Sequence, residues 1–264
     1  MMVVVNFRKG RIGSMLEVEN IVKVYGDATI STTALNGVSF SVQKGEFIAI
    51  MGPSGSGKTT LLNMLSGIDL PTSGTVRING KEFGQMDSED LAVFRRQEIG
   101  FVFQSFQLID SLTVKENILL PMILEKQSVE MMEGKIGQLA TLFEIDDILD
   151  RYPYQVSGGQ GQRTAVARAL VNEPSIVFAD EPTGNLDSKT SALIMECFQR
   201  IVTNLTTTVL LVTHDVFAAS YCDKVIFIKD GLLHSFIVRK GSQKEFLHQI
   251  MDNLRVVGGK IHDL

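Results

Sequence analysis

Gly52-Pro53-Ser54-Gly55-Ser56-Gly57-Lys58-Thr59-Thr60 is the stretch on which the reading of this chain turns. It has the pattern G-x-x-x-x-G-K-[ST], with a second threonine behind it. The apolar run Phe47 to Met51 in front has the character of a buried strand, and Thr60 to Leu65 behind it reads as a helix. In that context the glycines let the backbone wrap closely with its N–H groups turned inward, and the helix N-terminus favours negative charge. Lys58 would reach the β- and γ-phosphates of a nucleotide, and the Thr59 hydroxyl would bind Mg²⁺. Taken alone, the stretch is also compatible with a Gly/Ser turn that happens to precede a lysine.

At 264 residues, 44% hydrophobic and 21% charged, the chain has the composition of a soluble globular protein with one large domain or two small lobes. Its net charge of −5 and isoelectric point of about 5.5 disfavour a nucleic-acid partner. Cys197 and Cys222 have no metal-ligand or redox spacing and read as reduced packing residues of a cytoplasmic protein. No apolar run reaches the roughly 18 residues that cross a bilayer; the run Ile118 to Leu124 is interrupted by Pro121. The start, Met1 to Lys9, has charges after a very short apolar run, the wrong order for a signal peptide. A membrane role must then come through a partner.

Residues 1–14 look foreign to the rest of the chain, and a second start at Met15 would make them a flexible, dispensable extension. Alternation begins at Met15-Leu16-Glu17-Val18-Glu19-Asn20-Ile21. Residues 27–34 read as a polar loop, Leu35 to Val42 as a strand, and Asn79-Gly80 as a hairpin turn. Ser88 to Arg96 reads as a short helix and Ile99 to Phe103 as a strand. From there to about residue 171 the pattern is helical, with a capping box at Thr113-Val114-Lys115-Glu116 opening a helix through Leu120 and a further helix over 128–143. Strands return at Ser175 to Ala179, Thr208 to Thr213 and Val225 to Lys229. A second capping box, Ser242 to Glu245, opens a tail helix with Phe246, Leu247, Ile250, Met251 and Leu254 on one face.

The strand Ser175 to Ala179 ends in Asp180-Glu181. Adjacent carboxylates rarely end a buried strand without a cation nearby. Asp180 would hold the Mg²⁺ that bridges the phosphates, and Glu181 would polarise the attacking water; a strand-end Asp can also be a helix cap. Ser157-Gly158-Gly159-Gln160 opens another helix, where two glycines could make a second anion site or Ser157 could be a plain N-cap.

The order of P-loop, Gln104, Ser157 to Gln160, Asp180-Glu181, Asn185-Leu186-Asp187 and His214 resembles the ABC transporter ATPase family, from about Leu16 to Gly231. The resemblance implies an ATPase with ATP and Mg²⁺ as substrate and cofactor. It also implies roles: Tyr25 stacking on adenine; Gln104 touching Mg²⁺ and sensing a permease; Ser157, Gly158, Gly159 and Gln160 binding the ATP held by a second subunit; Asp187 at the dimer interface; His214 contacting the γ-phosphate. A lone histidine after a strand is usually structural; here its position in this order argues for function. Catalysis would fall to Glu181, His214 and Lys58, metal binding to Thr59, Gln104 and Asp180, and ATP binding to Gly52 through Thr60. Two residues depart from the family pattern. Val156 replaces a usual leucine, and Gly161 replaces a longer polar residue, which should soften the helix, since glycine costs about 1 kcal/mol against alanine there.

The implied fold is α/β: a P-loop, RecA-like core with an antiparallel β subdomain and a helical lobe inserted at about 104–171. The ATPase domain would span 15–240 and the amphipathic helix and tail 241–264. The active unit would be a head-to-tail homodimer, peripheral on the inner face of the cell membrane through an integral-membrane permease. The loop 27–34 and Asp180 to Asp187 resemble the branch containing macrolide exporters, lipoprotein-release systems and the FtsE division protein. Glu116 to Pro121, Ala219 to Asp223 and the tail resemble the bacitracin-resistance (Bce-type) ATPases within it. A lipoprotein-release, macrolide-type or FtsE-like role is the alternative. Soluble relatives acting on DNA or ribosomes fit less well, because Gln104 and Ser157 leave no room for a long coiled coil and the chain has one cassette. The tail helix is equally readable as plain packing.

Overall fold

The computed structural model describes residues 14–27 and 30–258. In chain order these form β1 (Leu16–Gly26), β2 (Ser31–Val42), β3 (Phe47–Met51), α1 (Lys58–Leu65), β4 (Ser73–Ile78), β5 (Lys81–Glu82), α2 (Ser88–Glu98), β6 (Ile99–Val102), α3 (Val114–Leu124), α4 (Val129–Phe143), α5 (Gly158–Leu170), β7 (Ile176–Asp180), α6 (Ser188–Leu205), β8 (Thr208–Val212), α7 (Val216–Ser220), β9 (Lys224–Lys229), β10 (Leu232–Val238) and α8 (Gln243–Val257).

Two sheets result. One is antiparallel, in the order β2-β1-β4-β5; the other runs β10-β9-β3-β8-β7-β6. In the second, β9, β3, β8, β7 and β6 pair in parallel and β10 joins β9 antiparallel. Strands covered on both faces read as unbroken apolar runs, and Phe47-Ile48-Ala49-Ile50-Met51 is buried at every position. Its side chains alternate between two cores. Phe47, Ala49 and Met51 join the core beneath α3 to α8, while Ile48 and Ile50 join the one holding Leu61, Leu62, Met64 and Leu65 of α1. Helix α1 thus lies between the two sheets, fixed by four buried side chains.

Asn79 and Gly80 both take left-handed backbone angles, φ 49° and 74°, as the two-residue hairpin between β4 and β5 requires. The expected capping boxes at Thr113 and Ser242 are present with both hydrogen bonds, and Ser128 caps α4. Helix α3 continues through Pro121 to Leu124, beyond the expected end at Leu120. Strand β2 starts at Ser31, inside the stretch read as loop, because Thr32 and Thr33 pair with Tyr25 and Val24. Residues 1–13 lie outside the described residues. Ser14, the last residue of the expected extension, is buried and its hydroxyl accepts from Gln43 Nε2 at 3.3 Å; the packed edge therefore includes it. Helix α8 buries Phe246, Ile250, Leu254 and Val257 against α7 and β9, at about 1.5–3 kcal/mol for each large side chain. Both cysteines are buried and free.

Asn117 is fully buried in α3. Its amide nitrogen donates to the carbonyls of Ile109, Leu112 and Thr113 at 3.0–3.1 Å, and its oxygen accepts from Ile109 N–H at 2.8 Å. Removing it would leave buried backbone groups unpaired, at about 1–3 kcal/mol each. We expect Asn117→Ala to lose about 2–4 kcal/mol of stability by urea unfolding. A loss below about 0.5 kcal/mol would mean that the 109–113 segment is held by other contacts.

Candidate nucleotide-binding site

Parallel pairing sets β7, β8 and β3 side by side, so their carboxyl ends share one edge. From β3 the chain enters Gly52–Thr60, from β7 it reaches Asp180-Glu181, and from β8 it reaches Thr213-His214. Ligands of open α/β sheets bind at this edge. A cleft of about 580 Å³ opens there, lined by Thr32, Thr33, Ser54, Gly55, Gly57, Lys58, Thr59, Thr60, Asp180 and Glu181, among others. Its size suits a nucleotide.

Gly57, at the N-cap of α1, has φ 97°. A Cβ there would stand 2.6 Å from the Ala34 carbonyl oxygen, so this turn needs glycine twice over. Lys58 Nζ donates to the carbonyls of Gly52 and Pro53 at 2.9 and 3.0 Å. Burial lowers its pKa, opposed by the charges of Glu181 and Asp180. Ser56 Oγ is buried with no hydrogen-bond partner among the described residues. An orphaned hydroxyl and a cation folded back on its own loop fit a site that receives an anion.

Asp180 is the last residue of β7 and caps no helix. Burial, then the neighbouring Glu181 charge, pushes its carboxyl pKa up, against the pull of Lys58. A partly buried carboxylate raised in this way suits a hard cation, and Thr59 and Asp180 supply oxygen donors at the cleft. Glu181 has φ 47°, a strained angle for a side-chain-bearing residue, of the kind that gathers at functional sites. Its N–H donates to Val212 O at 2.9 Å. The carboxylate turns to the end of β8: Oε1 accepts from His214 N–H at 3.1 Å and lies 2.8 Å from His214 Nδ1, while Oε2 accepts from the Thr213 hydroxyl at 3.2 Å.

The other expected residues stand around this centre rather than in the cleft. Tyr25 is 42% exposed; its hydroxyl donates to Asp69 at 3.0 Å, and Lys23 Nζ sits 4.8 Å from its ring. Gln104 faces Asn185: each side chain donates to the other residue, to Asn185 Oδ1 and Gln104 O, both at 3.3 Å. Gly184 makes room for Gln104, since a Cβ would come 2.7 Å from its Nε2. Ser157 and Gln160 form a capping box at α5, and Asp187 caps α6 by accepting from Lys189 and Thr190 N–H. Neither group lines the cleft of its own chain.

Sequence reasoning missed several residues. Phe106 packs its ring where a Cβ on Gly161 would lie 3.2 Å away, so the glycine read as a softening departure provides space for an aromatic ring. Arg168 of α5 donates to the carbonyls of Phe106 and Gln107 at 2.8 and 2.5 Å. The loop after Gln104 is thereby tied to the helix that Ser157 opens. Thr213 was also missed, although it adjoins a recognised motif, and Asn185, read only as part of Asn185-Leu186-Asp187, turns out to be the partner of Gln104.

Fold and site together define a P-loop nucleotide-binding protein. The ABC transporter family model matches residues 35–184, and the chain belongs to that family as an ATP-binding subunit with ATPase activity. It is 49% identical to the ABC transporter ATP-binding protein YxdL of Bacillus subtilis over 96% of this chain and 98% of that one. It is 47% identical to the bacitracin export ATP-binding protein BceA of Halalkalibacterium halodurans over 95% and 99%. The dimeric cassette MJ0796 of Methanocaldococcus jannaschii, solved bound to ADP and Pi, superposes with a TM-score of 0.78 at 39% identity, over 86% of this chain and all of that one.

The raised pKa of Asp180 has a consequence for stability. A carboxyl raised in the folded state favours folding only while protonated, and that contribution disappears as pH rises through its folded pKa. We expect Asp180→Asn to melt higher than the parent at pH 8 without nucleotide, the gain shrinking as pH falls toward the carboxylate range, while Mg²⁺-dependent turnover is lost. An unchanged melting difference from pH 8 to pH 4 would show that Asp180 carries no such burden.

Proposed function

We propose that this protein is the ATP-hydrolysing subunit of a permease that protects cells against peptide antibiotics of the bacitracin type. The observation that carries this reading is the likeness to the bacitracin export subunit over 95% of this chain and 99% of that relative. A match of that extent takes in more than the nucleotide-binding core. In this reading the ATPase unit runs from Ser14 to about residue 240. Helices α3–α5 and the loop after Gln104 form the lobe that meets the permease, α8 packs as a tail, and residues 1–13 are dispensable.

Thr59, Gln104 and Asp180 are the residues that would hold Mg²⁺, which when bound offsets charge on the phosphates. The loop amides of Gly52 to Thr60 cradle the phosphate chain. Lys58 leaves the Gly52 and Pro53 carbonyls to meet it, and Tyr25 stacks on the base. Glu181 takes a proton from the attacking water, and the His214 ring contacts the transferred phosphate. Two copies assemble head to tail, so that Ser157 to Gln160 of the second copy close on the ATP of the first, with Asp187 on the shared face. Support for this lies in the placement of both groups outside the cleft of their own chain. Closure draws two lobes together and moves a permease that grips both. Among the described residues no helix is long and apolar enough to cross a membrane, so attachment to the inner face of the membrane runs through the permease.

Deleting the gene, or replacing Lys58 with Ala in the chromosome, should lower the inhibitory concentration of bacitracin-like peptides while leaving unrelated small-molecule drugs unaffected. Unaltered peptide sensitivity together with faulty lipoprotein sorting, macrolide sensitivity or failed division would assign the subunit to another branch.

A further inference from the structure

The contacts of Glu181 single out a residue that none of the motif roles includes. Thr213 is fully buried between β8 and α7. Its backbone N–H donates to Ile50 O of β3 at 3.2 Å, which ties it to the strand that feeds the phosphate loop. Its hydroxyl has two partners: it accepts from Asp215 N–H at 3.0 Å and donates to Glu181 Oε2 at 3.2 Å. A hydroxyl has one proton, and here it is directed at the carboxylate.

An ionised carboxylate offers about four lone-pair positions on its two oxygens. Oε1 meets both the N–H and the ring Nδ1 of His214. Because a carboxylate only accepts, Nδ1 carries the proton in that contact. Among the described residues Oε2 meets only the Thr213 hydroxyl. The uncommitted position is therefore on Oε2, and the group that fixes Oε2 is Thr213.

We propose that Thr213 is the positioning residue for the Glu181 base, and that Oε2 is the oxygen that takes the proton. This rests on the reading of Glu181 as general base. In the step itself an O–H bond of the attacking water breaks and its proton moves to Oε2. The water oxygen bonds to the γ-phosphorus, and the bond from that phosphorus to the bridging oxygen breaks with its electron pair going to ADP. Thr213 touches neither water nor phosphate. It holds the carboxylate plane through one charge-assisted hydrogen bond, and it links that plane to β3 through its backbone.

The test uses the full chain and compares T213V, which replaces the hydroxyl by a methyl, with T213S, which keeps the hydroxyl. A hydrogen bond to a charged group predicts that kcat of T213V falls about ten- to a hundredfold. KM for ATP should stay within about twofold, and T213S should return kcat to within about threefold of the parent. E181Q alone should fall about a hundredfold or more, and adding T213V to E181Q should lower kcat no further, since one residue acts through the other. T213A makes the same comparison if T213V does not fold. If E181Q is inactive but T213V and T213A turn over normally, the Thr213 proposal fails and the base assignment stands. If E181Q itself hydrolyses normally, the base assignment fails and the positioning role goes with it. A T213V that raises KM at unchanged kcat, or that lowers kcat again in the E181Q background, also overturns the proposal.

Discussion

Parallel pairing of β3 with β8, and of β8 with β7, is the constraint on which the rest of this molecule depends. Parallel strands end at the same edge, so pairing Phe47–Met51 with Thr208–Val212, and Thr208–Val212 with Ile176–Asp180, puts a glycine loop, a carboxylate pair and a threonine–histidine pair within reach of one another. The pairing is held by burial on both faces. Odd-numbered residues of β3 enter one core and even-numbered residues the other. A shift of one residue in register would exchange the two sets and would also move the start of the phosphate loop relative to Asp180. Catalytic geometry and core packing are thus set by the same alternation.

The site that results is electrostatically tense. Two acids and one lysine share a partly buried edge; burial opposes the charge on Lys58 and on Asp180. Lys58 bonds back to its own loop, and Glu181 is turned to the end of β8. Lys58, held only by carbonyls of its own loop, can exchange them for phosphate. The loop after Gln104 is less free. Arg168 holds two of its carbonyls, Phe106 sits on Gly161, and Asn117 holds the segment beyond. Gln104 is therefore mounted on the same helical unit that begins at Ser157, and it meets the turn before Asp187 by bonding Asn185 and lying against Gly184.

Much of this was legible in the sequence. The glycine loop between a strand and a helix, the capping boxes at Thr113 and Ser242, the Asn79-Gly80 hairpin and the buried apolar strands all arise from local patterns that the tertiary fold does not override. What was not legible depends on contacts across the chain. Strand β2 begins early because it pairs with β1, which no property of residues 31–34 reveals. Gly161 resembles a weakness until Phe106, far off in sequence, is placed on it. Thr213 is one more strand-end residue until the Glu181 backbone turns left-handed and directs its carboxylate there. Asp187, singled out for an interface, also caps α6, a helix the sequence reading did not name.

In the proposed function one chain holds only part of a working site, and the position of Ser157 to Gln160 outside the cleft that contains Lys58 and Glu181 supports that reading. The most direct measurement is ATP turnover per chain as a function of protein concentration, with the association state followed in parallel by sedimentation in ATP. Turnover per chain is expected to rise with concentration, in step with the fraction of dimer. Constant turnover per chain down to concentrations at which sedimentation finds only monomer would contradict it.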